Sequence, residues 1–80
     1  MIYLGQKLFF AELIFDDQIL YANMENVNGV YKAHVFGLEQ EPCELREVVI
    51  LDEVGLPLYM IEIKDTRLRN GDFLELKVLL

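Results

Sequence analysis

The chain has 80 residues, with 14 acidic against seven basic side chains and a formal net charge of −7. A surface of that sign repels phosphate, so the composition argues against binding nucleic acid or an anionic membrane through a general basic field. The length predicts a single domain over residues 1–80. Hydrophobic residues make up 54% of the chain, more than so short a domain can bury, which predicts an exposed apolar surface.

The N-terminal residues show no basic stretch before an apolar run, so the sequence predicts no signal peptide. Its uncharged runs fall far short of the roughly 20 residues that a membrane-spanning helix needs. We therefore expect a cytoplasmic protein. Cys43 is the only cysteine and His34 the only histidine. The sequence thus predicts no disulfide, no metal site and no cofactor.

The first strand is predicted from Lys7 to Phe15, a segment rich in aromatic and branched residues that ends at a polar break. Pairing it with the next apolar segment predicts one wholly apolar face, made by Phe9, Ala11, Leu13 and Phe15 beside Leu20, Ala22 and Met24. The opposite face is also largely apolar and carries Leu8, Phe10, Glu12 and Ile14. Such a two-sided strand indicates burial on both faces.

The strongest local signal is Asn28-Gly29, because both residues tolerate the positive φ that a two-residue type I′ turn requires. Folding the chain there predicts a hairpin with an opposite-charge pair, Glu25 with Lys32, and an aromatic pair, Tyr21 with Phe36. The same register predicts three further pairs. They are Ala22 with Val35, Met24 with Ala33, and His34 with Asn23.

The segment from Cys43 to Val54 is open to two interpretations. Pro42 near a first turn, Gly55 beyond the end and the spacing of Leu45 and Val48 allow a short helix over residues 43–54. The run of residues 48–51 contains three β-branched side chains in succession, which favours a strand.

If this segment is a strand, it forms a second hairpin, from Glu44 to Asp52 and from Leu56 to Lys64. A three-residue loop with Gly55 in the left-handed conformation then pairs Arg46 with Glu62, and Glu44 with Lys64. A two-residue loop would instead set Glu47 against Glu62. The sequence therefore predicts the three-residue register on grounds of charge.

The last strand is predicted from Phe73 to Leu80, after a polar turn region. The segment from Leu68 to Leu76 resembles the "L-x-x-G-D-x-L-x-L" start of a final strand that is found in ubiquitin-like proteins and in SH3-like barrels alike. The pattern covers nine residues and assigns no family. Taken together, the elements predict an all-β fold, a small antiparallel barrel or sandwich of five to six strands, of SH3-like or OB-like size.

No group of residues in the sequence has the composition of an active site, so we expect no enzymatic activity. His34 has neither a carboxylate nor a nucleophile among its predicted neighbours, Asn23 and Tyr21. Cys43 stands between acidic residues, which oppose the thiolate form that a reactive cysteine needs. The paired acids match no calcium-binding loop.

The sequence favours a non-enzymatic interaction or structural module that self-associates, as a homo-oligomer, or docks on a protein partner through an apolar strand face. An acidic inhibitor or mimic that occupies a basic site on another protein is a second hypothesis, based on the net charge. A small-ligand-binding barrel is a third, although five or six strands enclose little space. The predicted interface residues are Leu8, Phe10, Ile14, Ile19, Tyr21 and Phe36.

Overall fold

A computed structural model describes the backbone of residues 6–77 and the side chains of residues 9–77. All the regular structure in this part of the chain is β-strand, and every pairing is antiparallel. The strands are β1 (Gln6–Phe15), β2 (Ile19–Val27), β3 (Val30–His34), β4 (Cys43–Leu51), β5 (Pro57–Glu62), β6 (Arg67–Leu68) and β7 (Phe73–Lys77).

The strands form one sheet in the order β5-β4-β1-β2-β3-β7, and the two-residue strand β6 pairs with the start of β4. The sheet curls into a half-barrel, which confirms the predicted all-β antiparallel class. Within the described residues β5 and β7 are the edge strands, so the barrel is not closed there. None of these residues forms a helix of the length and apolar character needed to cross a bilayer.

The β1–β2 hairpin has the register predicted from its apolar alternation. Phe9 lies opposite Met24, Ala11 opposite Ala22, and Leu13 opposite Leu20. Because side chains alternate across a strand, all of these residues point to the concave side of the sheet. Those from Ala11 to Met24 are buried, apart from the half-buried Ala22, and they form the centre of the core.

Residues 43–51 form strand β4, so the short helix considered for residues 43–54 is wrong. The strand lies between β1 and β5 and pairs with both. Val48, Val49 and Ile50 are all buried there, and β-branched side chains fit the pleated surface better than they fit a helix turn. Burial between two neighbouring strands thus outweighs the helical spacing of the apolar residues.

The predicted three-residue loop forms, because the Asp52 N–H donates to the Leu56 carbonyl at 2.8 Å and Leu51 lies opposite Pro57. A bulge then shifts the pairing by one residue, so the predicted pairs Arg46–Glu62 and Glu44–Lys64 are wrong and Glu47 lies opposite Glu62. The actual pairing sets Val48 against Ile61 and Ile50 against Tyr59, so that the last two partners pack against the core. Burying these side chains stabilises the fold by more than two solvent-accessible carboxylates destabilise it. Gly55 does adopt the predicted left-handed conformation, with φ of +86°, and the register shift lies between Ile50 and Leu51.

The concave side of the half-barrel is filled by side chains from all seven strands. Tyr31 is at one end, where its ring makes edge-on contacts with Phe9 and Tyr59 at centroid distances of 5.5 and 6.3 Å. The fully buried large side chains are Leu13, Met24, Val35, Leu45, Val48 and Ile50. The core therefore occupies one side of the sheet. The other side, called here the outer face, is mostly exposed, although Val49 is buried there between Glu12 and Met60.

Candidate functional site

The outer face carries four exposed aromatic side chains on the part of the sheet formed by β1, β2, β3 and β7. Phe10 is 62% exposed, Tyr21 73%, Phe36 63% and Phe73 64%. Ile19 is also exposed and lies opposite the half-buried Ile14. Solvent-exposed aromatic side chains on one face of a sheet are typical of a surface that contacts another protein.

The predicted interface residues fall on this face wherever their side chains are described. Phe10, Ile14 and Ile19 lie on β1 and β2, Tyr21 follows on β2, and Phe36 lies just beyond β3. Leu8 belongs to the backbone of β1, but its side chain lies outside the described residues. Their role in an interface stays a prediction.

The ladder between β2 and β3 is short. Asn28 and Gly29 both have positive φ, as the turn prediction requires, and Glu25 pairs with Lys32 as expected. The ladder comprises Glu25–Lys32, Asn26–Tyr31 and Val27–Val30 and does not include the predicted pairs beyond them. Four predicted pairs are therefore wrong, because the structure does not form them: Tyr21 with Phe36, Ala22 with Val35, Met24 with Ala33, and Asn23 with His34.

In place of those pairs, a cleft of about 490 Å³ separates the two strands and opens on the outer face. We call it the β2–β3 cleft. Its floor consists of apolar side chains, and its rim carries the aromatic side chains. The floor is formed by Leu13, Leu20, Ala22 and Ala33, and the rim by Tyr21, His34, Phe36 and Phe73, with Asn23, Glu25 and Lys32 beside them.

Backbone groups from both strands face this cleft. In a two-residue hairpin Val27 and Val30 form a hydrogen-bonded pair, and alternate residues of each strand then face the other strand. On β2 these are Tyr21 and Asn23. Beyond β3, the Val35 N–H donates to the Asp72 carbonyl at 2.9 Å, and the Val35 carbonyl accepts from the Gly71 N–H at 2.7 Å. The backbone N–H and C=O groups of Val35 therefore point away from the cleft, toward the turn before β7.

The residues on either side of Val35, His34 and Phe36, consequently direct their backbone N–H and C=O groups toward β2. Each wall of the cleft thus presents the backbone N–H and C=O groups of two residues, Tyr21 and Asn23 on one side and His34 and Phe36 on the other. All four residues lie beyond the last pair of the β2–β3 ladder. The cleft is a gap in the sheet with strand-like hydrogen-bonding walls.

Gln18 closes the far end of the cleft. Its Nε2 donates to the Gly37 carbonyl at 2.7 Å, and its Oε1 accepts from the Glu39 N–H at 3.1 Å. Asn70 holds the same segment from the other side through two hydrogen bonds with the backbone of Leu38, at 2.7 and 3.0 Å. These contacts hold the chain after Phe36 in place, so the gap is bounded at both ends.

The rim side chains contact one another across β3 and β7. His34 lies opposite Phe73, and their ring centroids are 3.8 Å apart with an angle of 36° between the planes. His34 also contacts Phe36 at 5.4 Å. The imidazole is therefore part of an aromatic group on an exposed face, with Phe73 rather than Asn23 as its cross-strand partner.

The outer face is more acidic than basic at the strand positions that the structure describes. Lys32 forms an ion pair with Glu75 at 3.7 Å, and both side chains are exposed to solvent. The acidic residues at outward strand positions are Glu12, Glu25, Glu44, Glu47, Glu62 and Glu75, and the basic ones are Lys32, Arg46, Arg67 and Lys77. This excess of negative charge favours contact with basic groups.

A second charged cluster lies near the start of β4. The Arg46 guanidinium donates to both carboxylate oxygens of Asp16, at 2.7 and 3.1 Å, and to Glu44 Oε2 at 2.9 Å. The hydrogen bonds from Arg46 lower the pKa of the Asp16 carboxyl, and the same contact raises the pKa of Arg46. This two-pronged pairing ties the β1–β2 turn to β4.

The residues singled out for chemistry are not brought together. His34 is exposed on the outer face, whereas Cys43 is half-buried at the start of β4 with a free thiol and packs against the core. Within residues 6–77 no group of three or more His, Cys, Asp or Glu side chains is placed to hold a metal ion.

No protein-family model matches this chain, and no match is found among the curated proteins or the solved structures. The candidate site therefore rests on its own geometry.

Three features of the site are not predicted by the sequence. The sequence places Phe73 in the last strand, but its position beside His34 depends on the β3–β7 pairing, which joins residues 39 positions apart. The cleft depends on the end of a ladder that the sequence predicts to continue. The polar Gln18, in the turn before β2, gave no sign that it bridges to the Gly37–Glu39 backbone.

Proposed function

We propose that this domain is a non-enzymatic protein-interaction module that contacts another protein chain through its outer face. The exposed aromatic group on that face carries the proposal. The core on the concave side does not include Phe10, Tyr21, Phe36 or Phe73. These large apolar side chains stay exposed to water unless another chain covers them. Aromatic side chains at the centre of an interface commonly contribute about 2 kcal/mol or more each when they are desolvated.

Self-association is the form of this proposal that can be tested directly. The measurement is molar mass by light scattering after size exclusion, over a range of protein concentrations and at low and high salt. We expect a dimer or larger assembly that persists at high salt, because apolar burial is not screened. A mass of 9.4 kDa at every concentration would exclude self-association.

Two variants locate the contact. Phe10→Glu and Tyr21→Glu place a charge on the outer face and should reduce the measured mass to that of the monomer. Val54→Glu is the matched control, because Val54 is 79% exposed in the loop before β5 and lies off the outer face. Equal effects of all three substitutions would contradict the proposed location.

The excess of glutamate on the outer face supports a second form, in which an acidic domain docks on a basic site of another protein. Its test is the salt concentration that releases the domain from immobilised polylysine. We expect Glu12→Gln with Glu47→Gln to lower that concentration more than Asp17→Asn with Glu39→Gln, which removes the same charge elsewhere. Identical shifts would show that net charge alone acts.

A further inference from the structure

We propose that the β2–β3 cleft binds an extended peptide segment of a partner protein, bearing lysine or arginine, which enters the gap as an additional strand between β2 and β3. This inference deepens the proposed interaction function and rests on it, since it names the chemistry of the partner at one part of the outer face.

Hydrogen-bonding complementarity is the main argument. Tyr21 and Asn23 on one wall, and His34 and Phe36 on the other, direct N–H and C=O groups into the cleft. Donors and acceptors at alternate residues of an extended chain match another extended chain, which carries the same groups on both of its edges. Peptide recognition by strand addition uses this match.

The size of the cleft suits a short segment. Its volume of about 490 Å³ lies within the range of roughly 300–1,000 Å³ that is usual for ligand sites. On β2 the gap runs from Leu20 to Glu25, and it ends at the Gln18 contacts. At roughly 3.4 Å per residue, about five residues of an extended chain would follow it.

The two sides of the cleft select different side chains. Residues of the segment that point inward meet the floor, made by Leu13, Leu20, Ala22 and Ala33, which favours aliphatic groups of moderate size. Alternate residues point to the outer face. There the strands around the cleft carry Glu12, Glu25 and Glu75 against Lys32 and Lys77, and this small acidic excess favours lysine or arginine. The expected segment therefore alternates aliphatic and basic or polar residues.

The probe is a displayed library of capped seven-residue peptides based on Thr-Val-Lys-Val-Lys-Val-Thr, with the valine positions drawn from Ala, Val, Leu and Ile. Binding is measured with the full chain and with the Ala22→Leu variant, whose larger side chain enters the cleft floor. We expect selected peptides to lose at least about tenfold in affinity for the variant.

Amide hydrogen exchange of the unaltered protein provides a readout that does not depend on the variant. In the free protein, the amides of Tyr21, Asn23, His34 and Phe36 should exchange faster than those of the ladder pair Glu25 and Lys32. Bound peptide should slow all four by at least about tenfold, because each becomes part of a ladder. Binding that leaves these four amides unchanged would overturn strand insertion.

N-methylated versions of the best peptide test both edges. Methylation of alternate residues removes the donors along one edge, and methylation of the intervening residues removes those along the other. Insertion between two strands predicts that either set weakens binding at least about tenfold, whereas addition at a single edge predicts an effect from one set only. An effect from neither set, or no selected peptide at all, would refute the proposal.

The Phe10→Glu variant separates this inference from the proposed function. Phe10 lies on the outer face but does not line the cleft. The Phe10→Glu variant should therefore bind the peptide as tightly as the unaltered protein does, even if it no longer self-associates. Loss of self-association in Phe10→Glu without any peptide binding to the unaltered protein would leave the interaction module standing and reject the cleft as its peptide site.

Discussion

Replacing Asn70 by alanine should loosen the segment that follows Phe36 and lower the stability of the domain. The Asn70 side chain accepts a hydrogen bond from the Leu38 N–H at 2.7 Å and donates one to the Leu38 carbonyl at 3.0 Å. Leu38 is buried, so its backbone groups have limited access to replacement water. The backbone N–H of Asn70 donates to Glu41 Oε1 at 2.6 Å, and this bond survives the change because it does not involve the Asn70 side chain.

The magnitude follows from these two bonds. A hydrogen bond contributes about 0.5–1.5 kcal/mol net, so the pair contributes about 1–3 kcal/mol. Asn70 itself is exposed, and water can approach from that side, which favours the lower part of this range. We therefore expect a loss of about 1–2 kcal/mol in the free energy of unfolding.

Urea unfolding followed by circular dichroism measures this loss. With a slope of about 1 kcal/mol per molar urea, the midpoint should fall by about 1–2 M. Asn26→Ala is the matched control, since it removes a single bond, from the Gly29 N–H at 3.0 Å, in an exposed turn. A loss of unfolding free energy below about 0.5 kcal/mol for Asn70→Ala, or an equal loss in the control, would show that the two Asn70 side-chain hydrogen bonds do not stabilise the fold as expected.

Two further predictions concern the core and the charged cluster. Ile50→Ala should lower the free energy of unfolding by about 2–5 kcal/mol because Ile50 is fully buried, while Met60→Ala, on the outer face and 68% exposed, should change it by less than about 0.5 kcal/mol; equal losses in thermal or urea unfolding would contradict the assignment of faces. Asp16→Asn should reduce stability at neutral pH, because Arg46 lowers the pKa of Asp16 in the folded state. The Asp16 contribution is present above the ordinary carboxyl pKa of 3.8 and disappears as the pH falls through the lower folded value, so the two proteins should converge in acid. Asp17→Asn is the control in that titration, and a stability difference that persists at the lowest pH would count against the ion pair as its source.

Elements that rest on local chemistry were predictable from the sequence. Asn28 and Gly29 adopt positive φ because few other residues do so at little cost, and this holds wherever the turn lies in the fold. The β1–β2 register follows from the period-two alternation in β2, where Leu20, Ala22 and Met24 form the apolar face, since a slip by one position would turn these side chains to water. The β-branched run in β4 favours a strand over the short helix that the same segment also allows.

Other features depend on contacts between distant segments. The β4–β5 register places Glu47 opposite Glu62 because burial of Tyr59 and Ile61 contributes more than a favourable charge pair would. Local charge matching suggests the opposite choice. Only the curvature of the sheet around its core decides which residues of β5 point inward.

The candidate site shows the same division. The apolar outward residues of β1 and β2 are visible in the sequence, because its alternation and composition leave more apolar side chains than one core can bury. The β2–β3 cleft is not visible there. Local pairing rules continue the hairpin to Tyr21 and Phe36, whereas the fold ends the ladder at Glu25 and Lys32.

Residue type and spacing along the chain are enough to predict the all-β class, the β1–β2 hairpin, the Asn28-Gly29 turn and a surplus of apolar side chains. The tertiary structure decided where the strands part. Val35 bonds to the backbone of Gly71 and Asp72, and Gln18 and Asn70 hold the segment from Gly37 to Glu39. These contacts join residues up to 37 positions apart. The Val35 bonds hold the chain after β3 toward the turn before β7, and Gln18 ties it to β2 again only at the start of that strand, so the cleft does not follow from any local sequence pattern.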